Sequence, residues 1–281
     1  MRAFAGPTPR WLIGALALVA LALARHHAKA ADCEDIAKYQ PAAPSGGDPA
    51  GGAIRVVPVF VHIMERPGRE CEVRKLWTAE RLQAAFGPDA SDERNVHSVW
   101  RHTNVRFVVR KVALHVEPLP KGLLAADGNV TDSEHAVAPD KWPPAFDRLL
   151  DRDHRAGHVN VYLWERIGGP TDGLMGLGRS RSAGGRGTVW ISGQCTKPDI
   201  IKPKNCGRVA AHELGHALGL WDIKKKGCDN VTDKPLCRKL TAPCPEAAHT
   251  TNDRLMVPGQ EGRKLCPAEV AEAERMTGEL K

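Results

Sequence analysis

The stretch AAHELGHALGLWDI, residues 210–223, decides how this sequence is interpreted. It sets His212 and His216 four residues apart, with Glu213 directly after the first histidine. Positions four apart lie on one face of an α-helix, so two imidazoles at this spacing can bind the same metal ion. Gly219 follows three residues after the second histidine, and glycine permits the positive φ that ends a helix and reverses the chain. The stretch therefore predicts a helix that carries half of a metal site.

The residues after the reversal complete the predicted site. Asp222 would return toward the helix as a third ligand, and His249 is the alternative for that position. Three protein ligands and a solvent-filled fourth position are typical of catalytic zinc. Glu213 lies beside the ligand face, where it can take a proton from a water at that open position. The competing interpretation is a buried helix whose histidines fall four apart by chance. Gly219 and Asp222 follow His216 at the spacing that a zinc motif requires, which makes chance a poor explanation.

The N-terminal region indicates export. Basic residues precede an apolar run at 11–24, and the triplet Ala28-Lys29-Ala30 follows it, which predicts a signal peptide over residues 1–30. The run is shorter than the roughly 20 residues that span a bilayer, so no stable membrane insertion is expected after cleavage. Without residues 1–30 the chain has 36 basic against 33 acidic residues, which does not favour nucleic-acid binding. A secreted or periplasmic location is expected, and residues 31–53, rich in Pro and Gly, predict a flexible arm.

The eight cysteines all follow the predicted signal peptide. An even number in an exported chain predicts up to four disulfides, whose pairing the spacing leaves open. No pair forms a C-x-x-C motif, so the cysteines indicate structural bonds and not a second metal site.

The periodicity from residue 54 onward predicts an α/β (α+β) domain, a mixed twisted sheet with packed helices. Residues 168–187 are glycine-rich without a period and predict a mobile loop. The remaining histidines, such as His62, are interpreted as core or surface residues. The predicted strands are 54–65, 104–117, 158–167 and 188–192; the predicted helices are 76–86 with Thr78 as N-cap, 92–102, 143–155, 206–218 and 267–280.

Two segments of the chain resemble a known family of enzymes. HELGHALGLWD is similar to the extended zinc motif of the metzincin metallopeptidases, and RLMVPG at 254–259 resembles the methionine-containing turn of that family. The flanks VPVFVHIM and VNVYLWERIGG resemble the pappalysin and cytophagalysin group, whereas an aspartate as third ligand is similar to the snapalysins. The resemblance covers most of residues 54–281, and the zinc motif and the turn are its specific parts.

The resemblance implies a secreted zinc endopeptidase that hydrolyses internal peptide bonds. It implies one Zn²⁺ held by His212, His216 and Asp222, Glu213 as general base and Met256 as a structural residue beneath the metal. It also implies a catalytic domain at 54–281, divided into an upper part at 54–219 and a lower part at 220–281. A protein or peptide substrate would lie along an edge strand formed by Thr188, Val189, Trp190, Ile191 and Ser192. The alternative is a secreted zinc-containing binding protein of peptidase fold without turnover, against which the retained Glu213 argues.

Overall fold

A computed structural model of the protein describes residues 36, 39, 53–87, 95–116, 153–165, 176–179, 187–196, 206–220, 255–256 and 265–277. Within these ranges the chain forms a mixed sheet of five strands with α-helices packed on it. The strands are β1 (Arg55–Glu65), β2 (Val105–Val116), β3 (Val159–Trp164), β4 (Gly176–Arg179) and β5 (Thr188–Ser192). The helices are α1 (Glu72–Leu76), α2 (Ala79–Phe86), α3 (Val96–Trp100), α4 (Cys206–Ala217) and α5 (Pro267–Thr277).

The sheet has the strand order β2-β1-β3-β5-β4. β2, β1, β3 and β5 run parallel, and β4 pairs antiparallel with β5. Four of these strands agree closely with those predicted from periodicity, which confirms the mixed α/β class. Their valine- and isoleucine-rich sequences suit parallel strands, which are buried on both faces.

The glycine-rich region contains a strand that the sequence did not predict, and the prediction about its neighbour β5 is wrong. Residues 168–187 contain the strand β4 at Gly176–Arg179, which has no apolar alternation to reveal it. As a consequence, β5 is not an edge strand, because β3 pairs with it on one side and β4 on the other. The five residues of β5, Thr188, Val189, Trp190, Ile191 and Ser192, are therefore interior to the sheet, and β4 is the outermost of the described strands on that side.

The helices α2 and α3, which precede β2, begin at side-chain caps. Thr78 is the N-cap of α2, as predicted, and its Oγ1 accepts a hydrogen bond from the Arg81 N–H at 3.2 Å. Asn95 plays the same part for α3, where its Oδ1 accepts from the Ser98 N–H at 2.7 Å. Each cap satisfies a backbone donor that the first turn of a helix leaves unpaired. The helix predicted at 92–102 is thus α3, which is shorter than predicted. The helix predicted at 143–155 lies almost wholly outside the described residues.

The helices cover one face of the sheet. Val59, Val61 and Val161 project from that face into a core shared with α2, α3 and α4. Ile36 is also buried in this core, although it lies in the predicted arm, so the packed part of the protein includes residues before Ile54. The opposite face of the sheet carries the alternate residues of each strand.

The C-terminal helix α5 begins at Pro267, as its sequence predicts, and joins the sheet at the start of β1 and β2. A side-chain oxygen of Glu274 accepts from the Asn104 N–H at 3.3 Å, and the Glu274 carbonyl accepts from the Arg55 guanidinium. In the part of the chain that the structure describes, no helix is both long and apolar enough to cross a membrane. The predicted signal peptide at 1–30 lies outside the described residues, as does most of the predicted lower part at 220–281. Both stay predictions.

Candidate metal centre

The helix α4 carries the histidine motif and is buried on almost every side. It contacts β4 and β5 of the sheet and also α2 and α3. Ala210, Ala211 and Leu214 are buried without residual exposure, so the small residues of the motif let the helix approach its neighbours closely. Because the helix is held on several sides, its polar side chains have fixed positions relative to the sheet.

The motif brings three side chains together at one point of α4. Ligand atoms of His212, Glu213 and His216 all lie within 4.8 Å of one another. The two imidazole rings are perpendicular, with centroids 4.8 Å apart. His212 and Glu213 are buried, and His216 is partly exposed. Among the described residues this is the one cluster of three His, Cys, Asp or Glu side chains close enough to hold a metal ion.

Each imidazole of the motif is oriented by a backbone carbonyl. His212 Nδ1 lies 2.7 Å from the carbonyl oxygen of Leu255, and His216 Nδ1 lies 2.8 Å from that of Leu220. A carbonyl can only accept, so both Nδ1 atoms carry the proton and both Nε2 atoms carry the lone pair. Metal-binding histidines are held in the same way, with the second ring nitrogen donating to an oxygen. The two rings are therefore oriented as histidines that bind a metal ion are.

The carbonyl that orients His216 is supplied by the turn at the end of α4. Gly219 has φ +85°, which is the left-handed conformation expected from the sequence. The Gly219 N–H donates to the His216 carbonyl at 2.8 Å, and the Leu220 N–H donates to the Gly215 carbonyl at 3.0 Å. This pair of bonds is the Schellman motif, which reverses the chain after a helix. The reversal turns the Leu220 carbonyl back onto the ring of His216.

Replacement of Gly219 by alanine is expected to destabilise the protein and weaken metal binding. The left-handed conformation costs an L-residue with a Cβ about 1–2 kcal/mol. Relief of that strain would rotate the Leu220 carbonyl away from His216 Nδ1. Urea unfolding would measure the first effect and zinc competition with a chelator the second. Asparagine tolerates this conformation better than alanine, so Gly219→Asn should lose less; equal stability of wild type and both variants would contradict the prediction.

Met256 packs against the motif helix at Gly215. A Cβ atom built on Gly215 would be 2.6 Å from Met256 Sδ and 3.2 Å from its Cε. Such distances are far below ordinary van der Waals contact, so a glycine between the two histidines makes room for the methionine. Met256 is fully buried, and its neighbour Leu255 supplies the carbonyl that holds His212. The segment at 255–256 thus supports the helix and orients a ring at the same time.

Two further contacts fasten α4. Trp100 of α3 donates its indole N–H to the Ala211 carbonyl at 3.2 Å, one residue before His212. A disulfide joins Cys206, the first residue of α4, to Cys195 in the turn after β5, with Cα atoms 5.1 Å apart. This bond confirms the prediction of disulfide stapling and gives one pairing that spacing could not supply. It ties the start of the motif helix to the sheet.

The structure does not describe every residue predicted for the site. Asp222 and the alternative ligand His249 lie outside the described residues, as does the whole cysteine-bearing stretch 224–253. Sequence reasoning missed the carbonyls of Leu220 and Leu255, because any residue supplies a carbonyl and no side chain marks it. It also missed that residue 215 must be glycine. The methionine of RLMVPG, which was expected beneath the metal, was the available signal for this requirement.

Comparison with known proteins does not place the chain in a family. No protein-family model and no curated protein matches its sequence. What the protein does must therefore be inferred from the residues of the site.

Proposed function

We propose that this protein is a zinc-dependent endopeptidase. The observation that carries the proposal is the pair His212 and His216, whose Nδ1 atoms each donate to a carbonyl and whose ligand atoms lie within 4.8 Å of one another and of the carboxylate of Glu213. A structural histidine pair has no need for two Nε2 lone pairs on one face of a helix, and it has no need for a carboxylate beside them. A metal hydrolase needs both.

The metal would be held by the two Nε2 atoms and by Asp222. Asp222 follows the reversal at Gly219 by three residues, so it remains our proposed third ligand. Imidazole nitrogen with carboxylate oxygen in a four-coordinate arrangement is a ligand set that zinc accepts. When bound, zinc would supply Lewis acidity to the scissile carbonyl and lower the pKa of a water in the fourth position.

Glu213 is the proposed general base. Its carboxylate is within the same 4.8 Å cluster as the ring nitrogens, which is close enough to accept a proton from a water beside them. The same carboxyl group would then give the proton to the leaving amine. Burial of Glu213 keeps bulk water from competing for that proton transfer.

The edge strand β4 is the proposed site for an extended peptide. β4 contacts the motif helix α4, and among the described strands only β5 pairs with it, on one side. An edge strand offers main-chain donors and acceptors that can pair with an extended chain. A peptide bound there would lie along the helix that carries Glu213. This proposal replaces β5, which is interior, as the substrate strand.

We further propose that the protein is of the metzincin type and is exported. The support for the first is the motif with its glycine turn and the methionine packed at Gly215. The support for the second is the disulfide between Cys195 and Cys206, since such bonds persist in oxidising compartments. The sequence of residues 1–30 has the pattern of a signal peptide.

Cleavage of an unfolded protein in the presence and absence of a chelator tests the proposal. Purified protein should cleave casein, lose that activity when a chelator removes the metal, and regain it when zinc is added back. Elemental analysis should find one zinc per chain. A protein that binds one zinc but leaves casein and a peptide library intact would instead be the non-catalytic binding protein. A chain that binds no transition metal would overturn both interpretations.

A further inference from the structure

A second polar cluster lies on the face of the sheet opposite the helices. His62 of β1 is fully buried between side chains of β2 and β3. Its Nδ1 lies 3.0 Å from Nε2 of His115 on β2, and its Nε2 lies 2.9 Å from Oδ1 of Asn160 on β3. His115 Nδ1 lies 3.6 Å from Oδ2 of Asp153. The proposed peptidase site uses none of these residues.

The hydrogen bonds of Asn160 fix the tautomer of His62. Asn160 Nδ2 donates to the carbonyls of Arg155 and His158 at 3.1 and 3.2 Å, and its Oδ1 accepts from the Arg155 N–H at 2.9 Å. The amide oxygen therefore faces His62, and His62 Nε2 must be the donor in that bond. In the neutral ring, Nδ1 of His62 is then an acceptor.

The tautomer of His115 follows from that of His62. Because His62 Nδ1 accepts, His115 Nε2 must donate to it. A further proton on His115 would go to Nδ1, which faces the carboxylate of Asp153 and is stabilised by its charge. His115 can thus be an imidazolium without breaking its bond to His62. Once His115 is an imidazolium, His62 cannot gain a proton on Nδ1 without losing that bond.

The geometry favours a direct N–H···N bond over a shared metal ion. The two ring centroids are 5.2 Å apart and the nitrogens 3.0 Å, so the rings point almost straight at each other. A zinc ion at about 2.0–2.1 Å from both nitrogens would require them to be roughly 3.3 Å apart and to converge at a bent angle. The observed separation suits a hydrogen bond.

We propose that the bond between His62 and His115 is an acid-sensitive lock that joins β1 to β2. While His62 is neutral, the lock is closed. Once His115 is an imidazolium, a proton on His62 Nδ1 would place two N–H groups head to head at 3.0 Å, and the rings would have to separate. That separation would disrupt the stack of His62 on Tyr162, whose rings are 4.4 Å apart and nearly parallel, and so disturb β3 as well.

The charged groups around His62 set the pH at which the lock opens. The pKa of His62 is lowered to about 4, and burial is the largest cause. The charges of His115 and His154 act in the same direction, while the Asn160 hydrogen bond and the charge of Asp153 oppose the shift. The cations of Lys111 and Arg155 lie over the neighbouring ring of Phe60. Burial raises the pKa of Tyr162, which therefore stays neutral in this range.

The sign of the effect follows from linkage. A histidine whose folded-state pKa is below its ordinary value near 6.5 stabilises the fold fully above that value. The stability is lost as the pH falls from about 6.5 through the folded-state pKa of about 4. The lock is closed at neutral pH and opens in acid.

Urea unfolding of the full zinc-loaded protein between pH 7 and pH 4 tests the proposal, with His62→Gln as the variant. The unfolding equilibrium constant of wild type should rise more than that of His62→Gln over this range, by a factor on the order of 100. His158→Gln, a change in the neighbouring segment outside the hydrogen bond, should keep the wild-type dependence. Equal pH dependence in wild type and His62→Gln would overturn the proposal.

Nuclear magnetic resonance of the ¹⁵N-labelled wild-type protein gives a second test, and its coupling measurement needs no variant. A scalar coupling between His62 Nδ1 and His115 Nε2 should be present at pH 7 and absent in acid. The proposal would fail if that coupling is missing at pH 7, or if a second zinc per chain binds and is lost in His62→Gln. Neither readout involves proteolysis, so the lock and the proposed peptidase function stand or fall separately.

Discussion

Replacement of Glu213 by glutamine is expected to abolish proteolysis while leaving the metal in place. Glutamine has the same shape as glutamate but cannot accept the proton that the proposed reaction removes from water. General-base catalysis contributes about 10²–10⁴-fold, so casein cleavage should fall by that factor or more. His212 and His216 keep their carbonyl partners in the variant, so elemental analysis should still find one zinc per chain.

The same isosteric change at an exposed glutamate provides the control. Glu80 lies on the surface of α2, and Glu80→Gln should cleave casein at the wild-type rate. Activity of Glu213→Gln within about tenfold of wild type would exclude Glu213 as the base, since one base normally supplies more than that. Loss of zinc from the variant would instead identify Glu213 as a metal ligand.

Replacement of Gly215 by alanine is expected to damage both stability and metal binding. In an exposed helix this change stabilises by about 1 kcal/mol. Here the new Cβ would be 2.6 Å from Met256 Sδ, so the opposite sign is expected, with a loss of about 1–3 kcal/mol from overpacking. Displacement of Met256 would also move Leu255, whose carbonyl orients His212. Loss of such a partner weakens metal affinity by about 10–100-fold.

A double-mutant cycle separates this clash from a general effect on the helix. Met256→Ala alone leaves a cavity and should cost about 2–5 kcal/mol. The clash cannot occur when Met256 is already truncated, so Gly215→Ala should then cost less, and the two changes should be coupled by about 1 kcal/mol or more. Urea unfolding gives the stabilities and chelator competition gives the zinc affinities. Additive effects would show that Met256 does not press on Gly215.

The local features of the site were predictable because short-range chemistry determines them. The four-residue spacing of His212 and His216 places them on one face of any helix, and the helix is present at Cys206–Ala217. Gly219 was expected to adopt positive φ because it follows the last turn, and it does. Thr78 was expected to cap a helix for the same local reason.

The pairing of strands was less predictable because it depends on residues far apart in the chain. The strand β4 has the sequence GLGR, which has neither β-branched residues nor alternation, and it is a strand because β5 supplies its hydrogen bonds. The error about β5 followed directly from missing β4. His62 is a similar case: the sequence reading correctly allowed for a core residue, but its partners on β2 and β3 come from 53 and 98 residues away.

The sequence by itself determined which side chains could bind a metal, where the helix that carries them ends, and that most strands are buried. These are consequences of spacing, of backbone preference and of apolar periodicity, each of which acts over a few residues. Only the tertiary structure decided which carbonyls hold His212 and His216, why residue 215 must be small, which strand lies at the sheet edge, and that His62 and His115 share a hydrogen bond. Those features depend on contacts between distant segments, and such contacts are fixed by how the whole chain packs.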